Sequence, residues 1–303
     1  MKPQLKADLA MLVVTLFWGS SYVFMQLGLG DLEPFNLIAL RFLLAFFLAF
    51  PLLYPRIKRP EGKTLLQAFV LGGLLFGVFA TITTGIKSTT ASQAGFLVSL
   101  TVIFVPLLSV FLGAKPPARV FAGACTALLG IALMTLSSSL QMSEGDALCI
   151  AGALFYASHI LVTGRWAGHS DPLQLGVYQL GFTAVFALLF SFLLETPRLP
   201  ESGVAWVAVL ALGILCSAIG FIVQTVAQRY TSASHTAVIF SMEPVFAAVF
   251  AFLVFGEMLS LRGYIGAALV LVGLLIAELD GSRWLPHKKR REIPPASREN
   301  MPV

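Results

Sequence analysis

Long apolar runs broken by short polar punctuation dominate the chain. Most of them reach the roughly 20 residues that cross about 30 Å of hydrocarbon. Ten membrane spans are predicted, at about 7–29, 34–54, 64–86, 90–113, 118–137, 145–165, 172–194, 204–228, 231–255 and 262–279. Several connections are very short: the one from Leu29 to Pro34 holds only Asp31, Glu33 and two other residues, and that from Arg229 to Thr231 is barely a loop. Consecutive spans are therefore antiparallel neighbours, and the predicted fold class is an all-α integral membrane protein.

The ninth run carries the segment Phe240-Ser241-Met242-Glu243-Pro244-Val245-Phe246. A carboxylate in hydrocarbon costs roughly 3 kcal/mol or more, so Glu243 must face protein or water. Pro244 donates no backbone hydrogen bond and leaves the Phe240 carbonyl free, so a bend beside a cavity is expected there.

Composition sharpens the class. The chain is 57% hydrophobic and 12% charged with a mean hydropathy of +0.87, against about 25% charged in soluble domains, which leaves no room for a sizeable soluble domain. Cys125, Cys149 and Cys216 sit in apolar runs without CxxC or CxxH spacing and read as small buried hydrophobes, so neither a metal nor any other cofactor is implied. The first run is too long for a signal-peptide core and is expected to be an uncleaved span.

Sixteen of the 20 Lys and Arg residues fall on the side of the predicted termini, three on the other side, and Arg41 lies inside span two. The positive-inside bias makes both termini cytoplasmic, in a plasma membrane such as a bacterial inner membrane. The net charge of +5 reflects this bias and not a nucleic-acid surface. The tail, 282–303, carries Lys288-Lys289-Arg290-Arg291, suited to anionic lipid.

The two halves repeat. Phe17-Trp18-Gly19-Ser20-Ser21 matches Phe155-Tyr156-Ala157-Ser158-His159, and Pro34 matches Pro172, at an offset of 138. Ala91-Ser92-Gln93 matches Ala233-Ser234-His235 at 142, and Arg119, Gly123 and Gly130 match Arg262, Gly266 and Gly273 at 143. Two five-span repeats, 1–138 and 139–281, must be inverted because five is odd. Inverted repeats can exchange conformations and open a midplane site to either side in turn.

The Phe-Trp-Gly-Ser-Ser of span one, Leu40-Arg41-Phe42, Ser241-Met242-Glu243-Pro244 with Phe255-Gly256-Glu257, and the glycine-spaced fifth and tenth spans resemble the EamA-type branch of the drug/metabolite transporter superfamily. The resemblance covers about residues 8–280. It implies a secondary transporter, in many members an exporter of amino acids or other small metabolites, working by alternating access. Where many first halves of the family carry a Gly-Glu pair, this chain has Ala114-Lys115.

Depth along the spans singles out the candidate substrate-binding residues. Glu243, Trp18 and its repeat mate Tyr156 are near the midplane of three spans, and aromatic bodies suit small amphipathic or cationic solutes. Arg41 is about 8 Å from Glu243 in depth, within reach of a direct pair or a substrate bridge. His159, on the Tyr156 face of its helix, suits proton relay or a helix-tying hydrogen bond. Gln93, Tyr22, Gln224, Tyr178, Gln179 and His235 complete the polar set.

Thr101 is the repeat mate of Glu243, so only one half carries the acid. Desolvation opposes its charge unless Arg41 or a cationic substrate group offsets it, so proton and substrate are expected to compete there. The small-residue stripes of spans five and ten are expected to pack against neighbouring helices or a second protomer, giving a homodimer. An enzyme is disfavoured by the lack of HExxH, GxSxG or paired intramembrane aspartates. A membrane-embedded enzyme and a dual-topology channel are the alternatives to a transporter of small molecules.

Overall fold

The computed structural model describes residues 3–57, 59–113, 118–135, 142–231, 236, 239–240 and 242–278. His235, Ser241, Ala114, Lys115 and the basic tail lie outside the described residues. Among the described residues all regular structure is helical, as the apolar runs predict. In chain order the helices are α1 (Pro3–Leu29), α2 (Pro34–Ile57), α3 (Gly62–Gly85), α4 (Ala91–Val98), α5 (Thr101–Ser109), α6 (Ala118–Thr135), α7 (Glu144–Ala167) and α8 (Pro172–Leu194). They continue with α9 (Gly203–Ala211), a π-helical stretch (Leu212–Ile219), α10 (Gly220–Ala227), α11 (Glu243–Phe255) and α12 (Leu261–Glu278). Among the described residues seven helical segments are long and apolar enough to cross a membrane, matching predicted spans one to four and six to eight. Shorter apolar helices, Phe121–Leu133, Glu243–Phe255 and Leu261–Gly273, stand at spans five, nine and ten.

Local chemistry starts several of these helices. Ser143 and Asp146 form a reciprocal capping box at α7, satisfying two end groups at once. The Asp171 carboxylate accepts the Leu173 and Gln174 amides at 2.9 and 3.3 Å, and Pro172 follows in the first turn, where its missing N–H has no helical partner to lose.

Three predicted spans are interrupted. Span four breaks at the Ser99-Leu100 turn between α4 and α5, and span eight widens into the π-helical stretch. In span nine α11 begins at Glu243 itself, so Pro244 falls in a first helical turn instead of kinking a continuous helix. Thr101 and Glu243, mates at the 142 offset, are the first residues of α5 and α11.

Helix α1 packs on α11, α10 and α4, while α7 packs on α3, α5 and α4. Helix α2 lies against α8 and the π-helical stretch. The glycine stripes of α6 and α12 close on each other within the chain: a Cβ on Gly130 would sit 2.5 Å from the Gly266 carbonyl oxygen, and one on Gly273 would sit 2.6 Å from that of Gly123. The stripes thus pack against each other within the chain, the first of the two partners expected for them, with exposed Phe121, Leu129, Ile265 and Val272 on the outer faces.

One end of the bundle is tied by carboxylates. Glu195 accepts the Phe35 and Asn36 amides at 2.9 and 2.7 Å, Asp31 accepts those of Glu201 and Ser202 at 2.8 and 2.9 Å, and Lys87 meets Glu33 at 3.0 Å. Glu257 accepts from Ala91 N, Ser92 N and Ser92 Oγ at 3.3, 3.2 and 2.8 Å, holding the start of α4. The preceding Gly256 ends α11 in a left-handed conformation, φ +65°, and Gly113 ends the helix before it at φ +85°. The matching caps set the offset at 143 and correct the sequence pairing: the first half keeps the glycine, and Ala114 stands where the second half has Glu257.

Candidate functional site

The broken spans bring an acid, a phenol and an aromatic box together. Tyr22, one helical turn after Trp18 on the same face of α1, donates from its hydroxyl to Glu243 Oε1 at 2.7 Å. Glu243 is only 8% exposed and stands in the first turn of α11. Trp18 donates from Nε1 to the Cys216 carbonyl at 2.8 Å, across to the π-helical stretch. A π-helical segment re-aims carbonyls and is frequent at functional sites. Gly220 makes the approach possible, because a Cβ there would lie 2.6 Å from Trp18 Nε1.

Aromatic contacts complete the box. Trp18 meets Tyr156 edge-on at 5.9 Å, Phe240 at 4.9 Å and Phe221 at 5.1 Å between ring centroids. Tyr156 stacks on Phe240 at 6.1 Å, and its hydroxyl has no hydrogen-bond partner among the described residues. The enclosed cavity, bordered by Glu243, Tyr22, Trp18, Tyr156 and Phe79, is about 20 Å³, room for little more than one water. A solute must displace side chains to enter, so this conformation is closed at its centre.

Arg41 lies just outside this box and is fully buried. It donates from Nε to Ser217 Oγ at 2.9 Å and stacks over Phe79, its guanidinium carbon 4.2 Å from the ring centroid. The two expected charges therefore make no direct pair; the Phe79 ring lies against both the cavity and the guanidinium.

His159 is also buried, 6.3 Å from the Tyr156 ring, and its Nε2 is 2.8 Å from Gln179 Oε1. Gln179 in turn donates to Thr225 Oγ1 at 2.9 Å, a chain that ties α7, α8 and α10. Gln224 donates to Gln228 at 3.3 Å, and Tyr178 bonds the Ile57 carbonyl at 3.3 Å. Gln93 is at the tied end of the bundle, where it donates to Asp146 Oδ1 at 3.0 Å. Of the predicted set, Glu243, Tyr22, Trp18 and Tyr156 converge on one cavity; Arg41 and His159 adjoin it, while Gln93 and Gln224 bond elsewhere.

Phe79, Phe221 and Ser217 are the residues that sequence reasoning missed. One more Phe among 25 carries no signal, and the π-helical stretch that presents Ser217 has no sequence mark. Among the described residues no cluster of His, Cys, Asp or Glu has the arrangement of a metal site.

Comparison with known proteins gives the scaffold its relatives. The profile described as the EamA-like transporter family matches twice, over residues 5–136 and 143–279. An "Uncharacterized transporter" of Archaeoglobus fulgidus is 29% identical over 279 residues, spanning 91% of this chain and 87% of its own. "Uncharacterized transporter YoaV" of Bacillus subtilis is 25% identical over 289 residues, 92% of this chain and 98% of its own. A "Probable terminal-alkyne amino-acid exporter" of Streptantibioticus cattleyicolor is 27% identical over 287 residues, 89% of this chain and 93% of its own. A crystal structure superposes with a TM-score of 0.70 at 22% identity, covering 92% of this chain and 98% of the other, a likeness of fold. The two profile matches together span nearly the whole chain, which belongs to the EamA-like transporter family.

Proposed function

We propose that this transporter is a secondary exporter of small amino-bearing metabolites, such as amino acids or drug-like amphiphiles, working by alternating access. Its frame is read as ten spans in two inverted repeats, 1–138 and 139–281, with both termini and the 282–303 tail cytoplasmic. The doubled family match and the equivalent breaks at Thr101 and Glu243 support the repeat. The exporter among the relatives supports the direction and the substrate class.

The observation that carries the reading is Glu243, a buried acid whose hydrogen-bond partner is the Tyr22 hydroxyl inside an aromatic box. Discontinuous spans at mid-membrane are where secondary transporters bind their cargo. A substrate ammonium can replace the Tyr22 hydroxyl as the partner of Glu243 and lie against the faces of Trp18 and Tyr156. A proton neutralises the same carboxylate, so proton and substrate exclude one another, and their alternation couples a proton gradient to export.

Reconstituted protein tests this by counterflow of radiolabelled amino acids, with an imposed pH gradient as the driving force. Glu243→Gln is expected to remain folded, to lose the response to the pH gradient and to bind amines more weakly. Wild-type counterflow with unchanged pH response in that variant would falsify the coupling role and leave Glu243 as a structural hydrogen-bonding residue.

A further inference from the structure

The Arg41 guanidinium is the largest imbalance in the buried polar groups. It is fully buried, and its Nε is bonded to Ser217, yet Nη1 and Nη2 have no hydrogen-bond partner among the described residues. Two unpaired N–H groups on a buried cation are costly, and stacking on Phe79 and Phe42, at 4.2 and 5.2 Å, offsets only part of the cost. Among the described residues no carboxylate pairs with Arg41, and Glu243 is already held by Tyr22. The unused half of the guanidinium is its bidentate fork, which matches a carboxylate in two parallel hydrogen bonds.

We infer that Arg41 recognises the carboxylate of a zwitterionic substrate, and that Phe79 is the door between it and the Glu243 cavity. The inference rests on the proposed function, to which it adds the second recognition group and the side chain that shields it. Phe79 borders the central cavity, packs edge-on against Phe221 at 5.7 Å and carries the Arg41 guanidinium on its face. Moving this one ring enlarges a cavity of about 20 Å³ and joins the two charged groups in one site, with Glu243 for the ammonium and Arg41 for the carboxylate. Ser217 holds the Nε edge, so the free fork has one orientation. A bare amine reaches Glu243 but gains nothing from Arg41.

The test is a selectivity ratio measured by calorimetric binding to purified full-length protein in lipid nanodiscs. The probes are L-phenylalanine against phenethylamine and L-leucine against isopentylamine. In the wild type each zwitterion is expected to bind at least about tenfold tighter than its amine, the gain of one charge-assisted bidentate contact. In Arg41→Met the ratio is expected to fall to about one; in Arg41→Lys, which keeps the charge and loses the fork, it is expected to lie between.

Phe79→Ala is expected to raise the ratio, and it keeps the inference testable where Arg41→Met does not fold. An unchanged ratio in Arg41→Met, or in Phe79→Ala where Arg41→Met does not fold, overturns the inference. Amines that bind with zwitterions no tighter overturn it while leaving the Glu243 reading intact. Failure of all four probes to bind overturns both.

Discussion

Gly19 is the point where a single added carbon tests the site. A Cβ there would lie 2.4 Å from Phe246 Cβ and 3.0 Å from both the Ala247 nitrogen and the Phe246 carbonyl carbon. None of these atoms can rotate away, because two are backbone and the third is fixed to it. Ordinary contact begins at 3.4 Å, so α1 and α11 must separate by about 1 Å in Gly19→Ala. Tyr22 lies three residues on, on the same face, and its 2.7 Å bond to Glu243 would stretch to about 3.7 Å, beyond hydrogen-bond reach. Tyr22 is 2% exposed, so bulk water does not replace the lost partner.

A bond to a charged group is worth about 1.5–3 kcal/mol, and overpacking costs about 1–3 kcal/mol. The overpacking falls on Gly19→Ala whatever residue 22 is, whereas the bond is lost only once. Equilibrium unfolding in mixed micelles of the wild type, Gly19→Ala, Tyr22→Phe and the double variant separates the two. Tyr22→Phe is expected to cost about 1.5–3 kcal/mol alone and almost nothing in the Gly19→Ala background, a coupling of the same size. Equal costs of Tyr22→Phe in both backgrounds would refute the account, since they would mean that the helix approach at Gly19 does not hold the tyrosine on the acid.

Glu257→Ala removes the acceptor for the Ala91 and Ser92 amides, so a loss of about 0.5–2 kcal/mol is expected, with faster alkylation of a single cysteine at Thr89; unchanged alkylation would show that the tie does not control access. Asp31 is held below the usual carboxylate range, first by the Ser202 amide, then by that of Glu201, with Arg198 adding to it. A lowered native value gives stability that is present above the unfolded value of about 3.9 and lost as pH falls through the native one. Amide exchange at residues 201–202 is therefore expected to stay slow at pH 4 and to quicken only in stronger acid, a transition that Asp31→Asn abolishes. For topology, single cysteines at Glu144 and Ser297 in a cysteine-free background are expected to react oppositely with an impermeant thiol reagent on intact cells; equal labelling sinks the inverted frame.

The elements legible in the sequence were those fixed by neighbours along the chain. Apolar run length located α1, α2, α3, α7 and α8, and Asp171-Pro172 marked a helix start because both its cap and its proline act within three residues. Glu243, Tyr22 and Trp18 were legible as candidates that share one cavity because a charge and amphipathic aromatics inside spans have few other uses. The illegible features depend on distant partners. Ser217 meets Arg41 across 176 residues of sequence, and Phe79 separates that cation from the cavity only once α2, α3 and the π-helical stretch have packed. The break in span four carries no proline at its turn, since Pro106 lies further along, inside α5. Gln93 was misplaced because it resembles a pathway residue in composition, while its position at the first turn of α4 puts it beside Asp146 at the tied end.

The two halves differ in what holds their equivalent breaks. At the equivalent break of span four, Thr101 donates from its hydroxyl to the Ala153 carbonyl at 3.2 Å. That bond joins a side chain to a backbone acceptor on α7. At the break of span nine, Glu243 meets a phenol on α1 instead, and both partners are side chains. Helix α1 has Gly19 where α7 has Ala157, and only the glycine lets α11 come close enough for the bond to form. One repeat therefore ties its broken span to a backbone carbonyl, while the other ties its broken span to a side chain. An acid at both equivalent positions would bury two carboxyl groups, at the several kcal/mol that each charged group costs in hydrocarbon.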